Sequence, residues 1–220
     1  MGAITFGIPK NLVLRLKSIF KVDDFVETGT FHGKTTLWAS TQFKNVYTVE
    51  FSSVLYEAAV KKFSHTPNVS CFYGSSPARL PEILAQLKSP AIFWLDAHWC
   101  GGSTYGAGDE CPLLDEIALV IEQAANHIII IDDARLFLKP PSKYHSGDQW
   151  PGLDEIIGLL SKRKGFYTFC SEDVIVSIPL AGRKELDAYF SRIHETEFPG
   201  GGIISNLRFA ARNIIRKWSN

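Results

Sequence analysis

The chain reads as an α/β protein: a mostly parallel sheet with helices on both faces, closed by an antiparallel hairpin. Three observations predict this. Strand-like runs alternate with helical patterns from residue 23 to residue 133, the layout of a parallel sheet. Two of the runs, "AIFWLD" (91–96) and "HIIIIDD" (127–133), are continuously apolar, as central strands covered on both faces must be. Beyond residue 150, "GFYTFCS" (165–171) and "DVIVSIP" (173–179) are joined by almost nothing. So short a joint makes the last pair antiparallel.

In order, "DDFVETG" (23–29) is the first strand and "KTTLWASTQF" (34–43) the helix behind it. "NVYTVE" (45–50) and "SVLYEAAVKKF" (53–63) form the second unit, "NVSCFYG" (68–74) and "PARLPEILAQL" (77–87) the third. The fourth strand leads into the helix "CPLLDEIALVIEQAA" (111–125), with Pro112 suited to its first turn. The fifth strand is followed by the helix "PGLDEIIGLLSKR" (151–163) and then the hairpin. Seven strands result. With no internal repeat and no linker, residues 1–220 are expected to be one domain, its core at about 20–180 and a helical extension at 181–220. The tail 201–220 is basic and amphipathic. It suits a helix packed on the domain or on a second copy, with a membrane-surface or partner-binding helix as the alternative.

Composition narrows the function. The chain is 45% hydrophobic and 21% charged, an ordinary soluble profile. Lys+Arg 23 balances Asp+Glu 23, so no overall basic field attracts nucleic acid. No apolar run reaches the length of a membrane span, and the N-terminus lacks the pattern of a signal peptide. Phe6 stands where a myristoylation signal needs Ser or Thr. Cys71 and Cys170 lie in strand-like runs and are expected to be buried thiols. Cys100 and Cys111 flank a glycine-rich loop and read as free thiols, with a metal site or disulfide as the other options. A cytoplasmic protein is expected.

The turn "VETGTFHGKTT" (26–36) carries the first functional signal. Gly29 and Gly33 permit a tight turn and close backbone approach to a ligand, and the helix that follows aims free N–H groups into it. A pyrophosphate or a carboxylate would suit those groups. The dinucleotide pattern G-x-G-x-x-G is absent, and only three residues separate the two glycines where a P-loop has four. Glu27 argues against phosphate and for an ammonium, met directly or through water. Glu50 ends the second strand, where an acid binds ribose hydroxyls.

With these residues in view, the chain resembles the class I S-adenosylmethionine-dependent methyltransferases, whose sheet is Rossmann-like with an antiparallel last strand. "VETGTFHGKTT" resembles their first motif and "VYTVE" their second. The resemblance implies that Glu27, Thr28, Gly29, Thr30, Gly33 and Thr35 hold the amino-acid end of S-adenosylmethionine. It places Glu50 at the ribose, Ser75 and Ser76 at the adenine where many members have Asp, and Asp96 at the border of the site.

A second group of acids lies at the ends of the fourth and fifth strands: Asp96 with His98 in "FWLDAH", and Asp132 with Asp133 in "IIIIDDAR". Neighbouring strands would bring the three carboxylates together, where they repel one another. A divalent cation, Mg²⁺, Mn²⁺ or Ca²⁺, would relieve this and could activate an acceptor hydroxyl. The pattern is similar to that of metal-dependent O-methyltransferases of sugars and natural products, which implies Asp96, Asp132 and Asp133 as metal ligands. Asp96, His98 and Asp132 are the candidate catalytic groups, His98 as base or fourth ligand. Arg135 could instead pair with Asp132 or Asp133.

Two long loops, 97–110 and 134–150, follow these strands and suit lids. Trp99, Tyr105, Phe137, Tyr144 and Trp150 in them could line an acceptor pocket, while Trp94 reads as core. Lys139, Lys143 and His145 could meet an anionic acceptor. The expected function is methyl transfer from S-adenosylmethionine to a hydroxyl of a small molecule or glycan. Metal-free transfer to nitrogen or carbon, a non-catalytic nucleoside-binding protein and a nicotinamide- or nucleotide-sugar-dependent enzyme are the alternatives. A homo-oligomer is compatible with the chain.

Overall fold

A computed structural model describes residues 7–99, 109–139 and 145–197, with side chains to residue 192. The chain divides into two compact units, Met1–Ala181 and Gly182–Asn220. In the second, α7 (Arg183–Glu197) is described; the amphipathic tail 201–220 lies outside the described residues, as do Cys100, Tyr105, Lys143 and Tyr144.

The first unit is built on seven strands: β1 (Asp24–Thr28), β2 (Asn45–Glu50), β3 (Val69–Tyr73), β4 (Ala91–Leu95), β5 (Ile128–Ile131), β6 (Phe166–Ser171) and β7 (Val174–Pro179). Their order across the sheet is β3-β2-β1-β4-β5-β7-β6. The first five are parallel, and β7 runs antiparallel to both β5 and β6. The expected seven-stranded sheet with its terminal hairpin is therefore present. β1, β4 and β5 are buried along their whole lengths; β4 and β5 therefore read as unbroken apolar runs, while β1 also buries Asp24, Glu27 and Thr28. Each fully buried Ile or Leu there contributes roughly 1.5–3 kcal/mol.

β3 and β6 are the edges, and that corrects the reading of two cysteines. Cys71 is half-buried and Cys170 is exposed, because each edge strand is open to solvent along one side. Cys111 is buried and free.

Helices α2 (Lys34–Ser40), α3 (Ser53–Phe63), α4 (Ser76–Gln86), α5 (Leu113–Ile121) and α6 (Leu153–Leu160) fall where the periodicity places them, some a few residues shorter. One helix was not anticipated: α1 (Lys10–Phe20). Leu12, Val13 and Leu16 have no exposed surface, and Lys21 ends the helix in the left-handed conformation, its N–H returning to the Lys17 carbonyl. Among the described residues no helix is long and apolar enough to cross a membrane.

The topology decides where a ligand can sit. The chain leaves β1 toward β2 and β3, then returns to β4 on the other side of β1. The connections diverge at β1 and β4, so a crevice opens at the carboxyl ends of those two strands. The last strand inverts the direction, so the β6–β7 turn also lies at that end, beside β5: Ile131 pairs with Ile175 and Ser171 with Val174.

Candidate active site

A cavity of about 160 Å³ occupies this crevice. Gly29, Glu50, Ser75, Ser76, Asp96, Ala97 and His98 are among the residues that line it.

The β1 turn is held against β2 by its backbone. The N–H groups of Gly29 and Thr30 both donate to the Val49 carbonyl, at 2.9 and 3.1 Å, and the Gly33 N–H donates to the Thr30 carbonyl at 2.7 Å. Gly29 has φ 83° and Gly33 φ 62°, a region that costs other residues about 1 kcal/mol or more. Phe31 adopts φ 47° between them. Its amide donates to Glu50 Oε2 at 2.7 Å, and the Ser52 amide donates to Oε1 at 2.9 Å. Glu50 is thus fixed at the cavity wall by two backbone donors, with lone pairs still available for hydroxyls.

The two strand-end acids are not equivalent. Glu27 does not line the cavity. Its carboxylate lies beneath the turn, where Oε2 accepts from Thr36 Oγ1 at 2.5 Å and Thr48 Oγ1 at 2.7 Å. Burial pushes its pKa from 4.5 to about 7, the two threonine donors only partly opposing this. The reason is register. Glu27 pairs with Thr48 one row inside the rim, under α2, whereas Glu50 lies one residue beyond the Thr28–Val49 pair. Thr28, Thr30, Gly33 and Thr35 also lie off the cavity wall; Thr28 and Thr30 are buried and Thr35 half-buried. Thr36, not its neighbour Thr35, makes the contact to Glu27. Reasoning from the sequence also missed Phe31 and Phe51, two partly exposed rings on the cavity wall, 49% and 36% accessible. Their positions beside Gly29 and Glu50 were the available signal.

The second group of acids does converge. The Asp96 N–H donates to the Thr28 carbonyl at 3.2 Å and the Asp132 N–H to the Leu95 carbonyl at 3.1 Å, so both continue the ladder just past the strands. Asp133 turns off it with φ 53°. His98, its side chain 5% exposed, sits between two acids: Nε2 is 3.1 Å from Asp133 Oδ2 and Nδ1 is 3.6 Å from Asp96 Oδ1. Arg135 Nη1 donates to Asp133 Oδ1 at 2.7 Å and also to Asp173 Oδ2. Burial raises the pKa of Asp96 well above the carboxylate range, His98 opposing and Asp132 adding to it. Burial and Asp133 push Asp132 to about 6. At Asp133 burial also raises, but His98 and Arg135 outweigh it and the pKa falls.

This arrangement differs from the expected cation cage. Among the described residues no group of three or more His, Cys, Asp or Glu is disposed to hold a metal ion. The His98 ring nitrogens and the Arg135 guanidinium already face carboxylate oxygens a cation would take. Asp132 lies off the cavity wall.

Glu110 joins the described parts of the two long loops. It is 5% exposed. Its carboxylate accepts from Trp150 Nε1 at 2.8 Å and from the Ser146 amide at 3.1 and 3.2 Å, and Oε2 lies 3.2 Å from His145 Nδ1. Its own carbonyl accepts from the Trp99 amide at 2.8 Å, and its amide donates to Gln149 Oε1 at 3.1 Å. Burial would raise its pKa, yet Trp150, Ser146 and His145 together lower it. The indole held this way packs on His98 with ring centres 5.4 Å apart. Trp150 and Phe137 are buried in this cluster and Trp94 in the core, so none of the three is an exposed acceptor contact. Glu110→Ala leaves three donors without their acceptor, and a loss of about 2–4 kcal/mol is expected. A thermal melt beside Glu110→Gln, which keeps the shape and loses less, measures it.

No family model matches the chain, and no curated protein matches it. Solved structures do. A candidate caffeoyl-CoA O-methyltransferase from Staphylococcus aureus superimposes with a TM-score of 0.57 at 13% identity, over 81% of this chain and 86% of that one. The Podospora anserina methyltransferase PaMTH1, solved with S-adenosylhomocysteine bound, gives 0.52 at 16% identity, over 76% and 74%. A candidate rRNA methylase from Clostridium thermocellum gives 0.51 at 14% identity, over 80% and 99%. Identities this low carry the architecture and no acceptor. The strand order, the inverted seventh strand and these superpositions together establish that the chain has the class I S-adenosylmethionine-dependent methyltransferase fold.

Proposed function

We propose that the protein is an S-adenosylmethionine-dependent methyltransferase acting on a hydroxyl of a small molecule or glycan. The observation that carries this is one cavity lined by two chemically different sets of residues. Gly29, Glu50 and Ser75 are suited to the donor, and Asp96 and His98 line the same cavity. Gly29 admits the donor close to the backbone, Glu50 accepts from the ribose hydroxyls, and Ser75 meets the adenine, while the Ser76 hydroxyl is buried toward Glu116. Glu27 supports the turn from below and reaches the donor ammonium only electrostatically or through water.

The sulfonium already activates the methyl group. The protein's part is in-line positioning of the acceptor and removal of its proton. A hydroxyl acceptor must lose that proton, and the Asp96–His98 pair is placed to take it, with Asp133 orienting the imidazole from the far side. Such a base contributes about 10²–10⁴-fold. A cation at Asp96, Asp132 and Asp133 does not fit the side chains as they stand, so no step is routed through one. The chain's zero net charge agrees with a small acceptor better than with a nucleic acid.

Calorimetric titration with S-adenosylhomocysteine and with NAD tests the reading; only the first should bind. Glu50→Gln should weaken that binding roughly 10–100-fold through lost charge-assisted hydrogen bonds. Unchanged affinity in this variant would remove Glu50 from the donor site.

A further inference from the structure

The acids at the ends of β4 and β5 form part of a longer chain of charges that reaches the tip of the last hairpin. The β6–β7 turn consists of Glu172 and Asp173, at φ 50° and 64°, between the paired residues Ser171 and Val174. Positive φ at both central residues is the two-residue turn that suits the twist of a hairpin. Because β7 runs against β5, this turn arrives at the carboxyl end of β5. There the Asp173 carbonyl accepts from the Ala134 amide at 2.8 Å, and Asp173 Oδ1 accepts from the Arg135 amide at 3.1 Å. Asp173 Oδ2 takes the Arg135 guanidinium, and the same Nη1 reaches Asp133. From Asp133 the chain continues to His98 and ends at Asp96 in the cavity wall.

We propose that this relay, Asp173–Arg135–Asp133–His98–Asp96, takes the place of a divalent cation, with Arg135 and Asp173 as positioning residues that hold Asp133 against His98. It rests on the methyltransferase reading for the use made of His98, but its geometry stands on its own. A hard cation needs about six oxygens at roughly 2.0–2.6 Å. Five of the six carboxylate oxygens of Asp96, Asp132 and Asp133 already face a nitrogen. Asp133 Oδ1 faces Arg135 and Oδ2 faces His98; Asp132 Oδ1 accepts the Asp133 amide at 2.7 Å. Asp96 Oδ2 accepts from Trp94 Nε1 at 3.3 Å, and Oδ1 faces His98 Nδ1. A divalent ion would have to displace these contacts and then sit beside Arg135. The guanidinium carries its charge at every working pH, and Asp173 stops it from swinging away. Asp133 gains what an ordinary strand end would not supply: its left-handed backbone turns the carboxylate toward both partners.

The test needs no acceptor. Full-length protein is titrated with Mn²⁺, read by the electron paramagnetic resonance of the free ion, with and without S-adenosylhomocysteine. The wild type is expected to take up no ion at millimolar Mn²⁺ and to bind S-adenosylhomocysteine equally well in EDTA. Removing the imidazole and the guanidinium, in His98→Asn/Arg135→Gln, exposes the carboxylates and should create uptake of one Mn²⁺. Asp173→Asn, which leaves the cavity residues intact, covers the case in which the double variant fails to fold; loosening Arg135 should give weaker but measurable uptake. Stoichiometric Mn²⁺ binding by the wild type, lost in Asp133→Asn, overturns the proposal. So does a folded variant that takes up no more ion than the wild type. Failure of the methyltransferase reading looks different: S-adenosylhomocysteine would then not bind under any of these conditions.

Discussion

Gly29→Ala is expected to abolish donor binding and to destabilise the fold by roughly 3–5 kcal/mol, combining a left-handed backbone penalty with overpacking. A Cβ on Gly29 would stand 2.3 Å from the Asp96 carbonyl oxygen, 2.9 Å from its carbon and 3.2 Å from the Ala97 Cα. These are backbone atoms at the end of a central strand, and the Asp96 amide is itself bonded to the Thr28 carbonyl, so they cannot yield singly. The clash would part β1 from β4 at the crevice, which is also where the donor approaches. Two comparisons isolate this cause. At Gly33 the new Cβ would meet the Phe63 ring at 2.9 Å, a side chain able to shift, so Gly33→Ala should cost less. At Gly158, in α6 and with nothing within 4 Å, the same substitution should stabilise by about 0.5–1 kcal/mol. Thermal melts of the three variants, with S-adenosylhomocysteine calorimetry, give the ranking. A Gly29→Ala protein that melts and binds like the wild type would show that the crevice does not close around this residue.

How far the sequence foretells such details depends on the range of the interaction. The sheet was legible because a strand buried on both faces leaves a local mark: four consecutive isoleucines at 128–131 admit little else. The hairpin was legible because almost nothing separates the runs 165–171 and 173–179. α1 was not, because Leu12, Val13 and Leu16 make only a short apolar stripe. Glu27 and Glu50 look alike in one dimension, each an acid at a strand end after apolar residues. Only the pairing of Glu27 with Thr48 shows that one acid lies a row below the rim and the other on it. Asp96, Asp132 and Asp133 could be brought together from strand adjacency alone. Asp173, 38 residues from Arg135, could not, since its place beside β5 follows from the inverted direction of β7. Glu110 likewise reads as one acid in a polar loop until Trp150, 40 residues away, is seen to donate to it.

The buried position of Glu27 has a measurable consequence in pH. The folded protein holds the Glu27 proton to about pH 7, while an ordinary glutamate releases it near 4.5. The unfolded chain therefore binds fewer protons between those values, and this group's contribution to stability is present below about 4.5 and lost as pH rises through about 7. At roughly 1.4 kcal/mol per pKa unit the loss is on the order of 3 kcal/mol. Glu116, buried beside Ser76 and Thr28 and also raised to about 7, acts in the same direction. His127 opposes them: burial first, then Arg163, lowers it to about 4, so its contribution to stability grows as pH rises from about 4 to 6.5. The total curve mixes these slopes, but the difference between wild type and Glu27→Gln cancels all that they share. Glutamine mimics the protonated acid, so the two proteins should be close in stability near pH 5 and diverge as pH rises, with Glu27→Gln the more stable above pH 7. Denaturant unfolding across this range measures it, and a constant difference would place the Glu27 carboxylate in solvent. Under the proposed function the same group should answer to the donor. A nearby ammonium favours the carboxylate, so S-adenosylhomocysteine binding near pH 7 should release a proton from the wild type and not from Glu27→Gln. Calorimetry in buffers of different ionisation enthalpy reads that proton directly. Equal release from both proteins would leave Glu27 as a support for the turn through Thr36 and Thr48 and move recognition of the ammonium to the backbone carbonyls around Gly29.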